Sequence, residues 1–278
     1  SGCLAREQPP TVGYLGPEAT FTHLASLSEF GSNALHKPYE SILDIFIDVD
    51  RDRLDYGVVP IENSTGGVIH TTLDMFLDFE LTICSEIFLH IHHNLISRNP
   101  IENIKTVYSK IEPFQQCQTW LRENLPKVQL IEVSTTAKGV EMAKDRNYAA
   151  AIGSALAARK YNVPIVAANI EDMKDNTTRF LVIGKQQPKP TGKDKTSIMV
   201  SIHDRPGALF ELLRPFHDRG INLTKIESRP TRRKAWELVF FIDMEGHRSD
   251  PAVAEALDIV RASTGSIKIM GSYPQDVK

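Results

Sequence analysis

A chain of 278 residues, 41% hydrophobic and 24% charged with a formal net charge of −3, is long enough for two domains and able to bury a core. That balance offers no positive field for nucleic acid or an anionic membrane, and no apolar run approaches the roughly 18–20 residues of a membrane span. The cysteines Cys3, Cys84 and Cys117 are odd in number, widely spaced and without a CxxC pair, which fits a reducing cytoplasm better than a disulfide scaffold.

The opening SGCLAREQPP has no initiator Met and no signal-peptide core, so an upstream segment is expected. Short strand-like runs follow at Val12–Leu15, Tyr56–Ile61, Ile104–Tyr108, Val128–Val133, Tyr148–Ile152, Ile165–Ala168 and Phe180–Ile183. Helical periodicity lies between most of them, at Thr20–Phe30, Ile42–Val49, Val68–Phe79, Pro113–Glu123, Thr136–Lys144 and Ser154–Lys160. The alternation argues for an α/β architecture with largely parallel strands. Glu80–Ile96, ELTICSEIFLHIHHNLI, is too long and too β-branched for another helix and reads as a strand crossing between two lobes. Lobe one then comprises about 11–88 and 165–185, lobe two about 89–164, and ligands bind beyond the carboxyl ends of such strands. The Lys-, Pro- and Gly-rich stretch Gly184–Lys195 marks a boundary, with the linker taken as 186–195. Beyond it, strands at Thr196–Ile202, Ile221–Glu227, Ala235–Met244 and Ile267–Tyr273 and helices at Pro206–Arg219 and Ala252–Arg261 give the order βαββαβ, a ferredoxin-like domain over 196–278.

Hydroxyls recur where elements meet. GPEATFTHLA places Thr20 and Thr22 at a helix start, PIENSTGG brings Glu62, Asn63, Ser64 and Thr65 after a strand, and VSTTAKG repeats the device with Ser134, Thr135 and Thr136. Each is either an N-cap or, where several converge on one sheet edge, part of a site for anionic oxygens. Without a Gly-rich phosphate loop, a carboxylate fits better than a nucleotide. HIHH, His90–His93, is either structural or a two-ligand metal site lacking further ligands at suitable spacing. In YSKIEPFQQCQTW, Ser109 follows a strand and Gln116 is either an exposed helical residue or an amide reaching into the cleft. DNTTRFLVIG sets Thr178 and Arg179 in front of an apolar strand. Strand alternation turns Arg179 away from Thr178, so Arg179 is either a carboxylate clamp or half of an internal ion pair.

GPEATFTHLA, VPIENSTGGVIHTTLDMF, FQQC, AAIGSALAARKYNVPI and NTTRFLVIG, in this order, resemble prephenate dehydratase. RPGALFELL and KIESRP resemble its phenylalanine-binding ACT domain, and REQPP resembles the connector after a chorismate mutase domain in fused bifunctional enzymes. The chain departs from the family at Ala19, often Gly, and at Lys110-Ile111-Glu112, often His-Pro-Gln. The resemblance implies a two-lobed catalytic domain over 11–185, similar to a periplasmic-binding-protein fold, and an ACT domain over 196–278. It implies cytoplasmic conversion of prephenate to phenylpyruvate without cofactor or metal. Catalytic roles fall to Thr178, Glu62 (as proton source), Asn63, Ser64 and Gln116, and substrate binding to Thr20, Ser109, Ser134, Thr135, Arg179 and Phe180. L-Phenylalanine is expected as allosteric inhibitor at Gly207, Ala208, Leu209, Asn222, Leu223, Glu227, Ser228 and Arg229, in a dimer or tetramer joined through ACT and catalytic domains. An arogenate dehydratase and a non-catalytic two-lobed sensor are the alternatives.

Overall fold

The computed structural model describes residues 8–230, 237–264 and 266–276. Residues 1–7, with Cys3 and the first two residues of the proposed connector, lie outside this set, as does the start of the strand expected at Ala235–Met244. Packing divides the chain into two units. One runs to Thr72 and resumes over Ile87–Phe180, and the other takes Leu73–Glu86 and the chain from Leu181 onward.

The alternation read from the sequence is realised as β1 (Thr11–Leu15), α1 (Phe21–Phe30), β2 (Leu35–Tyr39), α2 (Ile42–Asp50), β3 (Tyr56–Asn63), β4 (Gly67–Val68), α3 (His70–Asp78), β5 (Thr82–His90) and β6 (Asn94–Ser97). Then come β7 (Thr106–Ser109), α4 (Ile111–Gln116), α5 (Gln118–Asn124), β8 (Gln129–Glu132), α6 (Thr136–Lys144), β9 (Ala149–Gly153), α7 (Ala155–Tyr161), β10 (Ile165–Ala167) and β11 (Thr177–Gly184). Two sheets result, ordered β2-β1-β3-β11-β5, with β4 on β3, and β10-β6-β9-β7-β8. In the first, β1 is parallel to β2 and β3. In the second, β7 is parallel to β8 and β9, while β6 is antiparallel to β9 and β10.

Parallel neighbours end on the same edge, so the helix starts converge there. Thr20, Ser41, Thr135 and Ser154 each accept a backbone N–H of the following turn, from His23, Asp44, Lys138 and Ala157. Such caps are worth about 1 kcal/mol each. The all-buried β9, AAAIG, is flat enough for α6 to lie close over its neighbour β7: a Cβ on Gly139 would stand 3.0 Å from the Tyr108 carbonyl oxygen.

Three features differ from the sequence reading. The segment Glu80–Ile96 is two strands in two sheets. Its backbone breaks at Ile91–His93, where Ile91 N–H donates to Asn176 O (2.8 Å), His93 N–H to Glu171 Oε2 (2.9 Å) and Ile170 N–H to His93 O (2.8 Å). The outward and returning chains thus hydrogen-bond to each other between the sheets. The helix expected over 113–123 is broken at Cys117, because Asp172 caps a second helix through Thr119 N–H (2.9 Å) and Trp120 N–H (3.3 Å). Finally β10 pairs with β6, so the chain rejoins the first sheet at Thr177 rather than at Ile165.

In the second unit β12 (Asp194–His203), α8 (Ala208–Asp218), β13 (Leu223–Pro230), β14 (Glu237–Glu245), α9 (Pro251–Thr264) and β15 (Ile267–Pro274) form the βαββαβ order. Their antiparallel sheet runs β13-β14-β12-β15. Ile198, Val200 and Ile202, two apart on β12, meet Leu212 and Phe216 of α8 and Leu257 and Val260 of α9 in one core. The same unit holds the segment 73–86: Lys268 Nζ donates to the α3-terminal carbonyls of Phe76 (2.7 Å) and Phe79 (2.6 Å), a cation where the helix dipole favours one. A Cβ on Gly271 would collide with the Ile83 carbonyl oxygen, so only glycine lets β15 pass there.

Candidate active site

Two turns made by local sequence chemistry meet within the first unit. After β3, the Asn63 side chain folds over its own turn: Oδ1 accepts Thr65 N–H (2.8 Å), Gly66 N–H (3.2 Å) and the Thr65 hydroxyl (2.6 Å), as an Asx turn does. Ser64 fastens this turn to the one before β11. Its N–H donates to Thr177 O (2.9 Å), and its hydroxyl accepts Thr177 N–H (2.9 Å) and donates to Asp175 O (3.3 Å). The register so fixed brings Asn63 Nδ2 to 2.6 Å from the nearly buried Thr178 hydroxyl.

The second lobe contributes Gln116, at the end of α4. Its Nε2 donates to the Thr65 hydroxyl (2.7 Å), while Oε1 accepts from Asn176 Nδ2 (3.0 Å) and lies 2.6 Å from His93 Nε2. His93 and Asn176 are each 2% exposed. Among the described residues, His93 Nδ1 and Asn176 Oδ1 are buried without a hydrogen-bond partner. The Phe21 and His93 rings pack at nearly a right angle, with their centroids 5.6 Å apart. Burial pushes the His93 imidazole below its ordinary pKa, against the Gln116 hydrogen bond and the Glu171 charge, which favour protonation. Burial raises the Glu171 carboxyl, but hydrogen bonds from His92 (2.8 Å) and the His93 N–H hold it below its usual value.

The predicted residues separate into groups. Asn63, Ser64, Gln116 and Thr178 come together, and Phe180, two along β11 from Thr178, is buried on the same strand face. Glu62 and Arg179 occupy the opposite face. Arg179 is 3% exposed, with Nη1 3.2 Å from Glu62 Oε1 and its guanidinium 5.9 Å from the Phe88 ring. This geometry is the internal ion pair rather than a clamp, and it turns Glu62 away from a proton-donor position beside Thr178. Ser109 is fully buried and donates inward to Ile152 O (2.9 Å), which removes its hydroxyl from the substrate side. Thr20 is consumed by its cap and by Leu15 O (3.0 Å). Thr135 caps α6 but keeps a proton to donate, beside the exposed Ser134.

His93 and Asn176 are absent from the site residues expected from sequence, and Thr65 stands there only as one hydroxyl of the PIENSTGG turn. Of the two readings of HIHH, structural or a metal pair, the hydrogen bonds here are those of the structural one. His92 binds Glu171, and His93 faces Gln116. Asn176 stood in plain view before the Thr-Thr-Arg run, but its partner is 60 residues away.

Of the expected effector residues, Gly207 takes φ 82° as the cap of α8, and Ala208 and Leu209 open that helix. Leu209 is exposed, as are Asn222 and Ser228, whereas Leu223 and Glu227 are half-buried. Arg229 Nη2 lies 2.8 Å from Asp74 Oδ2, so its guanidinium is engaged within its own unit.

A family model described as prephenate dehydratase matches residues 12–188, and one described as ACT domain matches residues 196–262. The chain is 49% identical over 276 residues to the bifunctional chorismate mutase/prephenate dehydratase of Aquifex aeolicus (strain VF5), covering 99% of this chain and 76% of that protein. The crystal structure of prephenate dehydratase from Arthrobacter aurescens in complex with L-Phe superposes with a TM-score of 0.88 at 33% identity, covering 95% of this chain and 90% of that one. A structure described as GqqA, a novel type of quorum quenching acylase, superposes at 0.86 with 25% identity, covering 96% of this chain and 98% of that one.

Proposed function

This chain belongs to the prephenate dehydratase family, and we infer that it converts prephenate to phenylpyruvate, carbon dioxide and water. The catalytic domain is taken as residues 11–185 and the ACT domain as 196–278. In the reaction the bond from the quaternary ring carbon to its carboxylate breaks, and that electron pair enters the ring. The ring C–O bond breaks with its pair on oxygen, and a proton completes water. Electrons balance within the substrate, so the chemistry calls for no external oxidant. The obstacle is the leaving hydroxide.

One observation carries the reading: the 2.6 Å contact between Asn63 Nδ2 and Thr178 Oγ1. Because the amide donates, Thr178 keeps its own proton for the departing oxygen. An alcohol is a weak acid, so Thr178 acts by a hydrogen bond that strengthens as charge develops, an effect of about 10²–10³ per donor. The remaining N–H bonds of Asn63 and Gln116, with Thr135 and Ser134, receive the substrate's carboxylate and keto oxygens. Ser64 positions the Thr178 turn, and Arg179 with Glu62 stiffens the strand beneath.

Phenylalanine is the proposed effector, held where the α8 start (Gly207, Ala208, Leu209) and β13 (Asn222, Leu223, Ser228) meet a second ACT domain, with Glu227 and Arg229 nearby. The oligomer is a dimer or tetramer. The free thiols Cys84 and Cys117 suit a reducing cytoplasm.

The test is incubation with prephenate and assay of phenylpyruvate, with and without phenylalanine, and with arogenate in parallel. Phenylpyruvate formation supports the reading and its absence ends it. Faster turnover of arogenate shifts the substrate assignment. Activity and sedimentation both indifferent to phenylalanine end the regulatory part.

A further inference from the structure

We propose that His93 is a positioning residue for this reaction, holding the Gln116 amide so that its NH₂ end, not its oxygen, faces the anionic substrate. The inference deepens the dehydratase reading and rests on it for the substrate. The wiring itself follows from geometry.

The polarity of the network can be traced outward from two backbone N–H groups. Thr65 N–H and Gly66 N–H both point at one terminal atom of Asn63, so that atom is the oxygen. The Thr65 hydroxyl, 2.6 Å from the same oxygen, must donate to it. Its oxygen is then left to accept, and the atom of Gln116 lying 2.7 Å away is the nitrogen. Gln116 Oε1 therefore accepts from both Asn176 Nδ2 (3.0 Å) and His93 Nε2 (2.6 Å). It follows that His93 carries its proton on Nε2, and that the buried, unpartnered Nδ1 is an acceptor, as is Asn176 Oδ1.

His93 is suited to this task because it cannot swing. It sits in the break between β5 and β6, with its N–H on Glu171, its carbonyl accepting Ile170 N–H, and the Phe21 ring packed at nearly a right angle to its imidazole. Without its Nε2–H, a Gln116 flip loses one opposing donor instead of two, and the flipped amide sets a carbonyl oxygen against the substrate anion. One neutral hydrogen bond is worth about 1 kcal/mol, so the expected loss is roughly fivefold to tenfold.

The test uses the full chain. In steady-state assays with prephenate, His93→Asn, whose amide reaches only the Nδ1 position, is expected to lower kcat/KM about tenfold. His93→Gln, whose amide nitrogen reaches the Nε2 position, is expected to recover most of it. In a Gln116→Ala background, His93→Asn should cost nothing further. Equal losses in the two His93 variants, or a full additional loss on Gln116→Ala, overturn the proposal. Nitrogen-15 shifts of the parent's His93 ring, between pH 6 and 8, give a readout independent of turnover. An Nε2–H tautomer supports the wiring and an Nδ1–H tautomer overturns it. A parent inactive on prephenate yet showing the Nε2–H form refutes the substrate assignment alone.

Discussion

Asn63 and Thr178, 115 residues apart in the chain, meet at 2.6 Å with the amide as donor and the hydroxyl as acceptor. Two backbone N–H groups on the far end of the amide fix that direction. The role of the threonine in this contact, as acceptor, is thus decided by a neighbouring turn, and its own proton is not spent on Asn63.

Thr178→Ala should lower kcat by about 10²–10³ with little change in KM, since the hydrogen bond matters most in the transition state. Thr178→Ser should retain the larger part of the rate. Phenylpyruvate formation under saturating prephenate measures both, and an alanine variant near the parental rate rules out the assignment.

Asn63→Asp keeps the shape and still accepts from Thr65 and Gly66, but the introduced carboxylate cannot donate. It draws the Thr178 proton to itself. A loss of about 10²–10³ in kcat is expected, with thermal stability changed little. Retained turnover would mean that the direction of this hydrogen bond is irrelevant.

Arg179→Met tests the ion pair with Glu62. Because the Glu62 side chain keeps 32% exposure, water softens the loss, and destabilisation of about 1–3 kcal/mol is expected. KM for prephenate should stay within about twofold of the parent. A KM rise of tenfold or more at unchanged stability would return Arg179 to the substrate.

In the second unit, Lys195 Nζ lies 3.0 and 2.9 Å from the two carboxylate oxygens of Glu86, and both residues are buried. Lys195→Ala removes the Lys195 ammonium from that buried carboxylate and should cost about 3–5 kcal/mol. The pair of changes Lys195→Met and Glu86→Leu should cost much less. Urea unfolding of the single and double variants measures the difference, and equal losses would refute the account.

Burial lowers the pKa of His93 against Gln116 and Glu171, and burial with the nearby His36 lowers that of His23 against Glu18. Both rings bind protons more weakly folded than unfolded, so unfolding near pH 6 takes up protons. Their contribution is fully present above the unfolded value of about 6.5 and is lost as pH falls through the folded values. Stability at pH 5.5 should accordingly lie below that at pH 7.5. Calorimetry in buffers of different ionisation enthalpy would expose the proton uptake, or its absence.

Much of the architecture was legible because its signals are local. Hydroxyls at Thr20, Thr135 and Ser154 begin helices by capping their own first turns, and the spacing of Ile198, Val200 and Ile202 aims one face of a strand at a core. Alternation on β11 already set Thr178 and Arg179 on opposite faces. The strand β2, LHKPY, escaped because it is an edge strand whose Leu35, Lys37 and Pro38 are exposed, leaving no apolar period to read. The break at Ile91–His93 escaped for a related reason: residues 170–176 satisfy its backbone, and no periodicity reports so distant a partner.

The site divides in the same way. Sequence determined which side chains with the right chemistry stand where elements begin and end, Asn63, Ser64, Gln116 and Thr178 among them. Tertiary structure alone decided that Ser109 turns inward, that Glu62 neutralises Arg179, and that His93 faces Gln116. Residue type fixes what a group can donate or accept, but the direction of each hydrogen bond depends on what the fold brings against it from elsewhere in the chain.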